Sequence, residues 1–181
     1  KGMAGKIAMP LWVPAAMLND SLSLEKMPDF AGTIVVTTVS EAQNLERAQE
    51  LAGKVRPETE MGYFLSVRVG ETLKNAKVPA QDFMSYSAYS ERFLSGVEEA
   101  IYEDFTRKAD WWVKVQTYAA DKKPDKELYR VLQVWTIEKK LLKKKFDLIL
   151  ATANSQAAPV PESVRAKNLI EATLAEGFFN D

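Results

Sequence analysis

Residues Leu128 to Ile137 carry apolar side chains on both faces of an extended run. Leu128, Leu132 and Val134 point one way, and Val131, Trp135 and Ile137 point the other. A strand of this kind needs neighbours, and the chain supplies one just upstream. Trp111 to Ala119 alternates, with Trp111, Val113 and Val115 on one face and Lys114 and Gln116 on the opposite one. The polar stretch Ala120 to Glu127, which holds Pro124, lies between the two. The pair therefore predicts an antiparallel hairpin with a long polar tip. A third strand is predicted at Gly32 to Val39, where GTIVVTTV is dominated by β-branched residues and follows the turn residues Pro28 and Asp29.

Helical spacing fills the rest of the chain. Ser40 stands as a helix N-cap with Gln43 three residues on, and Leu45, Ala48, Ala52 and Val55 follow on one stripe. Pro57 interrupts that helix, and Glu58 to Asn75 carries two signals. Met61, Phe64, Leu65 and Val69 suit a helix, the preferred reading, while Leu65, Val67 and Val69 alternate like a strand. After a connector containing Pro79, Asp82 to Phe105 predicts the longest helix, with Tyr86, Tyr89, Phe93, Val97, Ala100 and Ile101 on one face. Glu138 to Ala153 buries Leu142, Phe146, Ile149 and Ala153. A small-residue linker, Asn154 to Pro161, leads into a last helix through Val164, Leu169, Ile170 and Leu174 that ends at Gly177. The order of elements predicts an α+β fold, a two-layer domain with a small, mainly antiparallel sheet covered by helices on one face. It divides into an extended N-terminal arm (1–30), a core (31–153), and a linker with a C-terminal helix packed on the core (154–181).

Composition narrows the chemistry. The chain has 181 residues, 46% hydrophobic and 27% charged, as a globular domain does. It contains no Cys and no His, so disulfides, Cys- or His-ligated zinc, thiol catalysis and His-based triads are excluded within it. With 24 Lys+Arg against 25 Asp+Glu, the net charge is −1, which argues against a global nucleic-acid binder. Lys1 in place of an initiator Met reads as a processed or trimmed start. The uncharged run Ile7 to Leu18 is broken by Pro10 and Pro14 and falls short of the roughly 20 apolar residues of a membrane span. It is expected to pack Leu11, Trp12 and Val13 onto the domain, or to dock a partner through them.

Five features could carry function. Lys139, Lys140, Lys143, Lys144 and Lys145 crowd one helical stretch, and the first four flank its buried stripe. They would offer an anion site for phosphate or a lipid headgroup, or simply a solvated face. Glu98, Glu99, Glu103 and Asp104 form a carboxylate cluster, suited to acid–base work or to a helix surface. Ser23-Leu24-Glu25-Lys26 matches the bare S-x-x-K of Ser–Lys acyl-transfer enzymes, without the companion motifs. Among the aromatics, Trp111 and Trp135 read as core, while Trp112, beside Lys114, is the candidate for an exposed contact. Leu141 and Leu148 fall opposite the buried stripe of their helix and suggest a second packing surface. Phosphate-cradling glycine loops are missing from the sequence.

The succession of elements resembles the LPP-twenty-like family of bacterial envelope lipoproteins. The resemblance rests on Leu11-Trp12-Val13, the strand Thr33 to Val39, the helix Ala42 to Val55 and the Ser/Tyr-rich helix Met84 to Phe105. It continues through Trp112-Val113-Lys114-Val115 and Tyr129-Arg130-Val131-Leu132 into the Lys-rich helix, spanning roughly residues 10 to 153. It implies a lipid-anchored protein of the outer membrane or periplasm with an α+β domain, no established enzymatic activity and no cofactor. The lipidated Cys of such proteins would have preceded Lys1. The expected function is a non-enzymatic structural or protein-interaction module of the cell envelope, with other envelope proteins or a second copy as partners and no nucleic acid. The alternatives are an anion-binding module through Lys139 to Lys145, or a carboxylate-based hydrolase.

Overall fold

Three strands, β1 (Thr33–Ala42), β2 (Thr106–Tyr118) and β3 (Pro124–Glu138), form one sheet in the order β1-β3-β2 in the computed structural model, which describes residues 8–153 and 160–179. β2 and β3 pair antiparallel, with Trp112 opposite Val131 and Val115 opposite Leu128. β1 also runs against β3, since Thr38 reaches Gln133 and Trp135 while Glu41 reaches back to Arg130. The fold class is α+β, with a small antiparallel sheet and helices packed around it. The described residues group into two units, one of residues up to Val55 with Thr106–Thr136, the other of Arg56–Phe105 with residues from Ile137 onward. The expected 31–153 core is thus shared between two bodies.

In the first unit the central strand β3 is apolar on both faces and buried accordingly. Leu132 and Val134 pack with Val35 of β1 and with Trp12, Val13, Ala16, Leu24 and Phe30. These come from two short helices, α1 (Val13–Met17) and α2 (Ser21–Glu25), and the turn that follows. On the other face Val131 packs against Ala48 and Ala52 of α3 (Leu45–Ala52). The buried Gln133 is satisfied by the Thr38 hydroxyl, which donates to its Oε1 at 3.2 Å and accepts from Trp135 Nε1 at 3.2 Å.

The second unit is helical: α4 (Pro57–Lys74), α5 (Phe83–Glu99), α6 (Lys139–Ala153) and α7 (Pro161–Leu174), the last followed by a wide turn, Ala175–Phe179. α5 packs against the other three. Its Tyr89 hydroxyl donates to the Leu150 carbonyl oxygen at 2.7 Å, and its Tyr86 hydroxyl to that of Leu73 at 2.9 Å. Phe93 meets Phe146 edge-on at 5.7 Å. Two glycines permit the close crossings. A Cβ at Gly62 would lie 2.2 Å from the Glu98 carbonyl oxygen, and one at Gly96 would lie 2.6 Å from Ile149 Cγ2. α7 is tied to the start of α5 by Arg165, whose Nη2 and Nε reach the buried Asp82 carboxylate at 2.7 and 3.0 Å.

Several boundaries differ from the sequence expectation, each for a local reason. The N-terminal arm is helical from Val13, because Pro14 occupies the first turn, where its missing N–H costs nothing. Ser40 lies inside β1, and the N-cap is Asn44, whose side chain accepts from Arg47 N at 2.8 Å. α5 ends at Glu99 because Ala100 turns extended and Tyr102 N donates to the Glu58 carbonyl oxygen at 2.9 Å. That turns Ile101 outward and buries Tyr102 in its place. β2 begins at Thr106 rather than Trp111, since the start of an edge strand is wet on both faces and shows no alternation. The hairpin tip is short: Ala119 N donates to the Lys123 carbonyl oxygen and Lys122 adopts a positive φ of 64°. On α6 the buried stripe is Leu142, Phe146 and Leu150. On α7 it is Ala166, Ile170 and Leu174, with Val164 exposed. The first seven residues of the arm and the linker positions 154–159 lie outside the described residues.

Candidate functional site

The uncharged N-terminal run becomes a two-sided structure. Trp12, Val13, Ala16 and Leu24 form its inner side against the sheet. Two side chains pin it further. Glu25 accepts from the Val35 amide, and Thr37 donates its hydroxyl to Asn19 Oδ1. Asn19 sits at φ 54°, a left-handed corner that Asn tolerates better than most residues. Asp20 caps α2 by accepting from Ser23 N at 3.0 Å, and hydrogen bonding to the Ser23 hydroxyl, with that amide second, holds its carboxyl below the usual carboxylate range.

The outer side is apolar and exposed. Leu11 is 90% exposed, Leu18 80% and Leu22 60%, with Met9 and Met17 beside them in sequence. Single exposed leucines need no explanation, but several on one short, anchored segment do. Trp12 and Val13 pack into the core, as the packing expectation had them, so Trp12 is not available as a contact residue. Leu11, expected to pack with them, faces out. The difference follows from the helical turn, which brings Trp12, Val13 and Ala16 to one side in place of an extended alternation. The absence of charge from Ile7 to Leu18 was the sequence signal for this surface. Leu22, inside a separate turn, carried none.

The lysine helix is partly self-neutralised. Lys143 lies 3.1 Å from both carboxylate oxygens of Asp147. It borders a groove of about 490 Å³ between α6 and α7, floored by Phe146, Leu150 and Leu174. Lys145 donates to the Ile101 carbonyl oxygen and lies 5.0 Å from the Tyr102 ring centroid. Lys139 also has a partner. Lys140 and Lys144 are exposed, and neither has an ion pair among the described residues. Leu148 is 70% exposed and Leu141 is borderline, so α6 presents an outward apolar stripe between charged neighbours.

Trp112 is 46% exposed on the outer hairpin face. Its ring lies 6.0 Å from that of Tyr129, over which Lys114 Nζ sits at 5.8 Å. Lys114 pairs with Glu127 at 2.9 Å, and that hydrogen bond raises its pKa. The other clusters do not assemble into chemistry. Glu98 and Glu99 are exposed at the end of α5, while Glu103 and Asp104 lie in the turn beyond it. No group of His, Cys, Asp and Glu among the described residues could hold a metal ion. Lys26 is exposed at the end of α2, without the burial that a Ser-activating lysine needs. No helix of the described residues is long and apolar enough to cross a membrane. No family model, curated protein or solved structure matches the chain.

Proposed function

We propose that this chain is a non-catalytic interaction module of the bacterial cell envelope, held at the membrane by a lipid anchor upstream of Lys1. Its contact surface is the outward leucine set made by Leu11 and Leu18, which flank α1, and Leu22 on α2. One observation carries the reading: Leu11, Leu18 and Leu22 stand exposed on a segment whose opposite side is fixed to the sheet. A rigid, apolar, presented surface is suited to a protein partner. An anchor just upstream would hold that surface near the bilayer and within reach of other envelope proteins. The resemblance to envelope lipoproteins, spread over roughly residues 10 to 153, supports the same placement.

The test uses the native full-length product in cells of its source. A photo-reactive amino acid at position 18 should give one discrete protein adduct in the membrane fraction, and Leu22→Glu should remove it. The intact mass should carry an acylated N-terminal Cys. A cytosolic product with an unmodified N-terminus would overturn the envelope placement. No adduct at position 18, or one that survives Leu22→Glu, would overturn the contact surface.

A further inference from the structure

β2 is an edge of the sheet, since the strand order is β1-β3-β2. The outward backbone groups of an edge strand have no ladder of their own and are a template for another strand. The opposite edge is managed differently: α2 and α3 pack on β1, and Glu25 takes the Val35 amide. On β2 the bulges that blunt an edge lie toward the ends. Register shifts fall between Arg107 and Ala109 and between Gln116 and Tyr118, which leaves Ala109 to Gln116 regular. That stretch holds neither Pro nor Gly. Its side chains alternate. Ala109, Trp111 and Val113 are half-buried against the core, while Asp110, Trp112 and Lys114 are exposed on the other face.

We infer that two copies of this chain pair through β2, edge to edge and antiparallel, about a two-fold axis between their Trp112 residues. Such an axis stands perpendicular to the sheet and keeps every side chain on its own face, so even positions oppose even and odd oppose odd. Centred on Trp112, the register sets Asp110 of each copy opposite Lys114 of the other. On the same face Trp112 meets Trp112 of the second copy. On the inner face Trp111 meets Val113 and Ala109 meets Val115. Each opposition is apolar or between opposite charges, the pairs that stabilise a ladder. Neighbouring registers lose this match. One centred on Asp110 or Lys114 sets like charges face to face, one on Trp111 sets Trp112 against Asp110, and one on Val113 leaves Asp110 without a cation. Both charged side chains already have surface partners, Lys114 with Glu127 at 2.9 Å and Asp110 with Arg107 at 3.7 Å. The second copy would place Lys114 between two carboxylates and Asp110 between two cations, extending these pairs rather than breaking them.

Sedimentation velocity of the full chain across micromolar concentrations reads the pairing, and the parent should dimerise reversibly. Asp110→Lys and Lys114→Asp each turn two attractive oppositions into two repulsive ones, so each should weaken the dimer about tenfold or more. Both positions are exposed, so circular dichroism should stay unchanged. Mixed in equal amounts, the two variants should form a heterodimer as readily as the parent pairs with itself, because every opposition between them is again of opposite charge. Where one variant fails to fold, the other decides together with the double exchange Asp110→Lys with Lys114→Asp, which should dimerise as the parent does. Leu22→Glu should leave the dimer intact, since the leucine surface takes no part in it. A parent that stays monomeric would overturn the pairing of copies. A dimer that survives the folded single variants, or one lost in Leu22→Glu, would overturn the edge as the contact. A mixture or a double exchange that stays monomeric would overturn the register.

Discussion

The Glu25 carboxylate accepts a hydrogen bond from the Val35 amide at 2.8 Å. Val35 lies on β1, an edge of the sheet, so this amide would otherwise be an unpaired donor in a buried setting. One side chain thus closes part of an exposed ladder and locks α2 to the strand. Glu25→Leu should cost about 2 kcal/mol, whereas Glu25→Gln, which keeps an acceptor, should cost less than about 1 kcal/mol. Urea titrations of the three proteins measure this. Equal costs would show that the carboxylate acts by packing alone.

The same substitution at two glycines of α4 should have opposite signs. At Gly62 a methyl group would meet the Glu98 carbonyl oxygen at 2.2 Å, and backbone cannot easily retreat. Gly62→Ala should cost about 2–3 kcal/mol by forcing α4 and α5 apart. Gly70→Ala meets only ordinary contact and should stabilise by about 0.5–1 kcal/mol through helix propensity. Thermal midpoints of the two variants decide the matter, and a shift in the same direction for both would contradict the packing described.

Burial raises the phenol pKa values of Tyr86, Tyr89 and Tyr102, most of all that of Tyr102, whose hydroxyl donates to the Val97 carbonyl oxygen at 2.8 Å. The folded state therefore holds these protons more tightly than the unfolded state does. Their contribution is full below the ordinary tyrosine value near 10 and is lost as pH rises beyond it. Absorbance at 295 nm should show these phenols ionising together with loss of helix signal above pH 10. Tyr102→Phe should cost about 1–2 kcal/mol at neutral pH and leave a shallower alkaline decline. Independent ionisation with the helices intact would rule the linkage out.

Of the five lysines on α6, Lys143 is neutralised by an ion pair with Asp147, and none is assigned a ligand in the proposed function, whose contact surface lies on the N-terminal segment. The double variant Lys140→Gln with Lys144→Gln should elute from heparin within a small salt increment of the parent. A large drop in the eluting salt would revive the lysine helix as an anion site.

Much of the fold was legible because periodicity survives wherever one face is dry. The hairpin and α6 follow from that rule, and α4 only in part, since Leu65, Val67 and Val69 also alternate as a strand would. Pro161 opening α7 follows instead from the fit of proline to a first helical turn. The failures share a cause as well. The first residues of β2 are wet on both sides, so nothing in them alternates. The end of α5 is set by Tyr102 reaching back to α4, a tertiary bond that no local window contains. The candidate surface was half legible: the uncharged run pointed to it, but only the helical turn decides that Leu11 faces out and Trp12 in.

The sheet also sets a timetable for biosynthesis. β1 can be completed only by β3, and the Thr38–Gln133 hydrogen bond spans 95 positions of chain. At about 5–20 residues per second, the ribosome leaves β1 without its partner for roughly 5–20 s. During that interval Ile34, Val35 and Val36 are a sticky segment on a nascent chain, and holding that segment apart from other chains falls to α1, α2 and whatever chaperone meets them first.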